Sequence, residues 1–158
     1  MSVGQPYFNP KRSNNFLDTC AFDPKVEPEA SCARRIRELS NEGKILLILS
    51  HTNQKEIDHP NTPSDVKLEA QAMIYSLSVQ LTVEEVKKQR KIHEILTGKA
   101  SAGAHYADAA HIAESTKYGG SFITTDKRIL SKRDELQKMG AVIFRPSEWL
   151  DKFNYADL

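Results

Sequence analysis

The chain lacks several features that mark common classes of protein. Its two cysteines, Cys20 and Cys32, are too few for a disulfide framework and fit a reducing compartment. Its longest apolar run, 45–49, is far shorter than the ~20 residues that a membrane-spanning helix needs. Residues 1–13 are polar and lack the apolar core of an export signal, so we expect a flexible N-terminal arm there. These absences predict a cytoplasmic protein without a membrane partner.

An excess of charge of one sign is also missing. Lys and Arg number 22 against 21 Asp and Glu, and the net charge of +1 gives no overall field to attract a polyanion. Any affinity for nucleic acid must therefore come from local groups of cations.

Sequence motifs for several kinds of catalysis are absent as well. The chain has no glycine-rich phosphate-binding loop and no G-x-S-x-G elbow, which argues against nucleotide binding and serine hydrolysis. His105 and His111 are six residues apart, so they do not share the helix face that a zinc pair needs, and no cysteine pair is near them. We expect neither a structural zinc site nor a side-chain nucleophile, and we expect Cys20 to be a small buried residue.

What the chain does contain is a regular alternation of short apolar runs with longer amphipathic segments. Its 158 residues fit one domain, 1–158. Strands are predicted at 16–22, 44–50, 121–125 and 141–144, and helices at 28–40, 65–79, 83–96, 106–118, 127–139 and 146–153. Thr82 and Glu85 predict a capping box on the 83–96 helix, and Trp149 is the expected core anchor of the last helix. Strands that alternate with helices predict a parallel α/β sheet with helices on both faces.

Four acidic residues, Asp18, Glu56, Asp108 and Asp126, stand at or just beyond the ends of apolar runs. Ligands of open parallel sheets bind beyond the carboxyl ends of the strands, so we expect these carboxylates to converge at that edge. Like charges so gathered repel one another unless a cation binds them. Oxygen ligands of this kind suit Mg²⁺ or Mn²⁺.

Each acid also has a simpler explanation. Asp126 is a good cap for the helix that follows it, and Asp108 is a favourable acid in the first turn of a helix. Glu56, on a short polar segment, would ordinarily be solvated. A lone Asp18 inside an apolar segment is the costliest to bury without partners.

Polar and cationic side chains beside Asp126 are the candidates for binding substrate. The hydroxyl of Thr124 would hold either a carboxylate or a phosphate oxygen, and Lys127 and Arg128 would contact phosphates. The cation-rich stretch 87–91 is balanced by nearby Glu residues and is expected to be an ordinary solvated face.

Four segments together resemble the PIN domain (PilT N-terminal type) family of metal-dependent nucleases. They are Leu17-Asp18-Thr19, Gln54-Lys55-Glu56-Ile57, Tyr106 to Ala113 and Phe122 to Lys127. The third is similar to the family's "ADAxIA" helix start, and the fourth to its "hhTxD" strand end, where h is apolar. Cys20 departs from the pattern, because the family often has Asn two residues after its first acid.

The resemblance implies a three-layer α/β/α sandwich that uses Mg²⁺ or Mn²⁺ to hydrolyse RNA phosphodiester bonds. Asp18, Asp108 and Asp126 would bind the ion directly or through water, and Glu56 would complete a second ion position or orient water. Many small members are VapC-type toxins, which implies a homodimer and an antitoxin partner, with 65–97 as a plausible contact surface. Two alternatives stay open: a PIN-fold module that binds RNA or protein without cutting, and a structure-specific DNA nuclease.

Overall fold

The computed structural model describes residues 9–49, 64–65, 74–75, 80–98 and 105–155. Its strands are β1 (Asn14–Leu17), β2 (Leu46–Leu49), β3 (Ile74–Tyr75), β4 (Ser121–Ile123) and β5 (Val142–Phe144). Its helices are α1 (Glu29–Asn41), α2 (Val83–Thr97), α3 (Tyr106–Lys117), α4 (Lys127–Ser131), α5 (Arg133–Gln137) and α6 (Pro146–Asn154). A short 3-10 turn, Thr19–Ala21, follows β1 directly.

The five strands form one sheet in the order β3-β2-β1-β4-β5, and every neighbouring pair is parallel. This confirms the predicted parallel α/β sheet. The chain builds outwards from β1 to β3 on one side and then places β4 and β5 on the other. The sheet order therefore reverses between β1 and β4, and open sheets of this type bind ligands beyond the carboxyl ends of the strands at that point.

Helices cover both faces of the sheet, because successive strand residues point to opposite sides. The cluster on the α1 and α6 face contains Leu17, Leu47, Leu49, Ile123, Phe144, Ile36, Leu39 and Trp149. The cluster on the opposite face contains Phe16, Phe122, Ile143, Ile92, Leu96, Ile112, Ile129 and Leu136, from the strands and from α2 to α5. The arrangement is a three-layer α/β/α sandwich, and Trp149, fully buried, is the core anchor that the sequence predicts.

A buried amide joins the elements at the amino end of the sheet. Asn15 is fully buried in β1, where its Oδ1 accepts hydrogen bonds from Ser121 Oγ and Trp149 Nε1, each at 3.0 Å. Its Nδ2 donates to the carbonyl oxygens of Pro10 and Leu46, also at 3.0 Å. One side chain therefore links β1 to β2, β4, α6 and the turn before β1. Residues 9–13 form that turn, while the rest of the predicted arm, 1–8, lies outside the described residues.

The junction between α3 and β4 depends on glycine. Gly119 adopts a positive φ of 65°, which L side chains rarely do. A Cβ at Gly120 would collide with the backbone carbonyl of Asn14. Glycine at both positions lets the chain leave α3 and enter the sheet against the start of β1.

The predicted capping box is confirmed at α2. Glu85 N donates to Thr82 Oγ1 at 3.2 Å, and Thr82 N donates to Glu85 Oε1 at 2.9 Å. No helix among 9–49, 64–65, 74–75, 80–98 and 105–155 combines the length and apolarity that a membrane crossing requires.

Three predicted elements differ from the structure. The strand predicted at 16–22 ends at Leu17, because the chain turns into Thr19–Ala21 at once. The helix predicted at 127–139 is two short helices that meet at Lys132. The prediction of a helix through 65–79 is wrong at Ile74–Tyr75, which pairs with β2 as a strand. The apolar spacing through 65–79 fits a helix, but the pairing of Ile74–Tyr75 with β2 makes these two residues a strand.

Candidate metal centre

Asp18 lies at the carboxyl end of β1 with only 5% of its surface exposed. Its backbone N donates to Ile123 O at 2.9 Å, which continues the pairing of β1 with β4 past the last strand residue. Carboxylate oxygen Oδ2 accepts hydrogen bonds from Thr124 Oγ1 at 2.7 Å and from Cys20 Sγ at 3.2 Å. The other oxygen, Oδ1, faces His111 on α3, at 3.9 Å from Nδ1.

Helix α3 brings two further side chains to Asp18. Asp108 and His111 are three residues apart, so they share one face of the helix. The imidazole of His111 is buried, with 1% of the residue exposed. Asp108 lies nearer the start of the helix, where its Oδ2 is 3.5 Å from Nδ1 of His105. His105 precedes the helix in a left-handed conformation, with φ 65°.

Within the described residues, Asp18, Asp108 and His111 form a group whose ligand atoms all lie within 4.8 Å of one another. Two ligands that bind one small divalent ion at about 2.1 Å are at most about 4.2 Å apart. The 3.9 Å between Asp18 Oδ1 and His111 Nδ1 is within that limit. Two carboxylates and an imidazole are donors that divalent metals accept, so this group can hold an ion, and the Mg²⁺ or Mn²⁺ that the PIN resemblance implies stays a prediction.

Asp126 lies at the same edge of the sheet, but it caps a helix. Its Oδ1 accepts hydrogen bonds from Arg128 N at 2.8 Å and Ile129 N at 3.1 Å, at the start of α4. The candidate metal-binding group of Asp18, Asp108 and His111, the one seen among the described residues, does not include it. The structure therefore shows Asp126 as a cap through Oδ1, and its predicted part in metal binding stays a prediction. Glu56, the remaining predicted acid, lies outside the described residues.

Thr124 connects the two acids that follow β1 and β4. Its hydroxyl donates to Asp18 Oδ2 and accepts a hydrogen bond from Asp126 N at 3.0 Å. Its own backbone N donates to Phe144 O at 2.9 Å, which fixes it against β5. The residue is fully buried. Of its two predicted roles, the structure shows the one in which it holds a carboxylate.

The prediction that Cys20 is buried is wrong, because the residue is exposed. Its Sγ nevertheless packs against Asp18 Oδ2 at 3.2 Å and Thr124 Oγ1 at 3.4 Å. Loss of water around the sulfur, together with the Asp18 charge, raises the pKa of Cys20 to about 11. The thiol is therefore neutral at physiological pH and donates to Asp18.

The two predicted phosphate-binding cations point to different places. Arg128 Nη1 donates to Leu96 O at 3.1 Å, so its guanidinium ties α4 to the carboxyl end of α2. Lys127 instead lines an open groove beside Cys20 and Thr125. Arg128 therefore has a structural contact, and the predicted binding of phosphate by Lys127 stays a prediction.

His111 is the site residue that sequence reasoning missed. The spacing of six residues from His105 to His111 does not indicate a metal pair. The informative spacing was from Asp108 to His111, because residues three apart on a helix face the same way. That spacing is visible in the sequence, but only the packing of α3 against β1 brings both side chains to Asp18.

No protein-family model matches the chain, and no curated protein matches it. The function must be inferred from the geometry and charge of the site. Buried acidic and imidazole groups at the carboxyl edge of a parallel sheet can hold a divalent ion and, through it, a phosphate.

Proposed function

We propose that the protein is a divalent-metal-dependent ribonuclease of the PIN type. The observation that carries the proposal is the group of Asp18, Asp108 and His111 at the carboxyl edge of the sheet. It lies where β1 and β4 end and the sheet order reverses, which is the ligand position of such folds. The motifs that resemble the PIN family contain these same three residues.

The ligand set favours Mn²⁺ over Mg²⁺. The sequence predicted carboxylate ligands only, but the group includes the buried imidazole of His111. Mg²⁺ prefers oxygen ligands and water, whereas Mn²⁺ binds nitrogen somewhat more readily.

Each side chain has a defined task in hydrolysis. A bound divalent ion would lower the pKa of a coordinated water and offset charge on the phosphate oxygens. Asp18 and Asp108 would hold the ion, and His111 would supply a third ligand. Thr124 fixes the orientation of the Asp18 carboxylate by its 2.7 Å hydrogen bond. Cys20 is a poor nucleophile, because its pKa of about 11 keeps the thiol protonated.

A second candidate is a PIN-fold module that binds RNA or protein without cutting. The use of Asp126 Oδ1 as a helix cap favours it, because one oxygen of an acid expected to bind metal is engaged by the start of α4. Binding of Mn²⁺ and cleavage of RNA separate the two candidates.

The test compares the wild-type chain with Asp108→Asn and, as a charge-matched control, Asp151→Asn on the exposed surface of α6. Mn²⁺ affinity is measured by titration calorimetry, and cleavage is measured on RNA and DNA of one sequence. We expect wild type and control to bind Mn²⁺ and cut RNA, and Asp108→Asn to lose at least about 100-fold in rate. Equal cleavage by Asp108→Asn would reject the site. Preferential cleavage of DNA would assign the enzyme to DNA.

The same resemblance implies the toxin of a toxin–antitoxin pair, with a homodimer and an antitoxin as partners. Production of the wild-type chain alone should then arrest bacterial growth, and Asp108→Asn should relieve the arrest. Normal growth under wild-type production, with RNA cleavage intact in vitro, would favour RNA processing instead.

A further inference from the structure

A groove with a volume of about 720 Å³ opens beside the candidate metal centre. Cys20 and Thr125 form its near wall, and Thr125 Oγ1 donates to Cys20 O at 3.2 Å. Cys20 Sγ is in turn 3.2 Å from Asp18 Oδ2, so the groove begins where the metal centre ends. It runs along the carboxyl edge of the sheet, between the loop before α1 and helix α4.

The charged side chains that line the groove differ in whether they have an ion-pair or hydrogen-bond partner. Its cations are Lys25, Lys127 and Arg145, and its acids are Asp23 and Glu29. The Asp23 carboxylate pairs with Lys25 at 2.7 Å.

The Glu29 carboxylate is turned towards α6, where it accepts hydrogen bonds from Ser147 N at 2.8 Å and Ser147 Oγ at 2.6 Å. Among the described residues, Lys127 has no ion-pair partner, and its side chain is exposed. Arg145 lies 3.9 Å from Glu148, and the Glu29 carboxylate keeps its charge although it is hydrogen-bonded. The lining therefore carries three cations against two acids, and Lys127 supplies the positive charge that is not paired within the described residues.

We propose that this groove holds the strand of RNA that adjoins the phosphodiester bond to be cut, by contacts to its phosphates. The proposal rests on the ribonuclease function proposed above. The groove lining, all within the described residues, contains no aromatic ring on which a base would stack. Recognition by cations alone reads the backbone and not the bases, so binding is independent of sequence.

The experiment measures binding of fluorescein-labelled oligo(U) to the full chain by anisotropy, with EDTA present so that no cleavage occurs. Lys127→Ala is compared with Lys138→Ala, which removes the same charge from an exposed residue before β5, at the opposite end of the sheet. Lys25→Ala provides a second groove variant. Thermal melting confirms that each variant is folded, and oligo(dT) and oligo(A) of equal length complete the set.

We expect Lys127→Ala to weaken oligo(U) binding about fivefold at about 50 mM salt and to lower the slope of log affinity against log salt by about 0.7. Lys138→Ala should bind as wild type does, oligo(A) should bind as oligo(U) does, and oligo(dT) should bind no more tightly. Unchanged oligo(U) affinity in both Lys127→Ala and Lys25→Ala, or an equal loss of affinity in Lys138→Ala, would overturn the proposal that the groove binds RNA. A tenfold preference for oligo(dT) would assign it to DNA and overturn the RNA proposal.

The two proposals fail differently. If wild type cleaves RNA but Lys25→Ala and Lys127→Ala leave the affinity for oligo(U) unchanged, the groove proposal is rejected and the ribonuclease proposal stands. Binding that depends on Lys127, without cleavage in Mn²⁺, keeps the groove and supports a non-catalytic RNA-binding module.

Discussion

At the scale of single residues, the two oxygens of the Asp18 carboxylate contact different groups. Oδ2 is held by the hydroxyl of Thr124 and the thiol of Cys20, while Oδ1 faces His111. Hydrogen bonds to one oxygen fix the carboxylate plane and so aim the other. An acid that is 5% exposed is tolerated because these donors replace water.

Thr124→Val tests this arrangement with little change in shape. We expect Mn²⁺ affinity to fall about 10- to 100-fold, because Asp18 loses the donor that orients it. Stability should fall by about 1–3 kcal/mol, because Asp126 N loses its acceptor in a part-buried position. Titration calorimetry and urea unfolding measure the two effects. Thr116→Val, which removes a hydroxyl that donates to Ala113 O at 2.7 Å within α3, is the control. An undiminished Mn²⁺ affinity in Thr124→Val would contradict the positioning role.

At the scale of elements, the start of α6 is held by a charged cap. Glu148 Oε1 accepts hydrogen bonds from Arg145 N at 2.9 Å and from Arg133 Nη1 at 2.7 Å. Partial burial alone would raise the pKa of Glu148, but these donors outweigh it and hold the pKa below its ordinary value of 4.5. The cap also joins α6 to α5, because Arg133 begins that helix.

Glu148→Gln should therefore destabilise the protein only where the carboxylate is ionised. Because the pKa is lower in the folded chain, the stabilisation is present above pH about 4.5 and is lost as pH falls through the folded value. We expect a cost of at most about 1 kcal/mol at pH 7, since the side chain is partly solvated. Urea unfolding from pH 3 to 7 should show wild type and variant converging at low pH. Glu135→Gln, on the exposed face of α5, should be neutral, and a gap independent of pH would refute the charged cap.

At the scale of the whole molecule, the candidate metal centre lies between two layers of the sandwich. Asp18 follows β1 of the sheet, and Asp108 and His111 belong to α3, so an ion bound between them would link the helix layer to the sheet. Binding that requires the folded arrangement must stabilise it, by mass action.

Mn²⁺ should consequently raise the melting temperature of the wild-type chain. At 100 times its dissociation constant the gain is about 2.7 kcal/mol, or about 5–10 °C for a chain of this size. Removal of the ion with EDTA should reverse the shift. His111→Ala should show little or no shift, whereas His93→Ala, which removes an imidazole from α2, should behave as wild type. A full Mn²⁺ shift in His111→Ala would exclude His111 as a ligand.

Part of this molecule was readable from local pattern. The positions of α1, α2, α3 and α6 followed from caps, glycines and apolar spacing, because those signals act over a few residues. The parallel sheet followed from the alternation of strands with helices. The convergence of Asp18 with Asp108 was predictable because both lie at the carboxyl edge of that sheet.

By itself, the sequence determined the α/β class, the parallel sheet and the edge at which Asp18 and Asp108 meet, since these follow from periodicity and connection rules. Only the tertiary structure decided that His111 joins the acids, that Asp126 caps α4 and that Arg128 and Lys127 diverge. It also decided that Ile74–Tyr75 is a strand. The physical reason is that side-chain partners and edge pairing are set by contacts between segments far apart in the chain, where local propensity is silent.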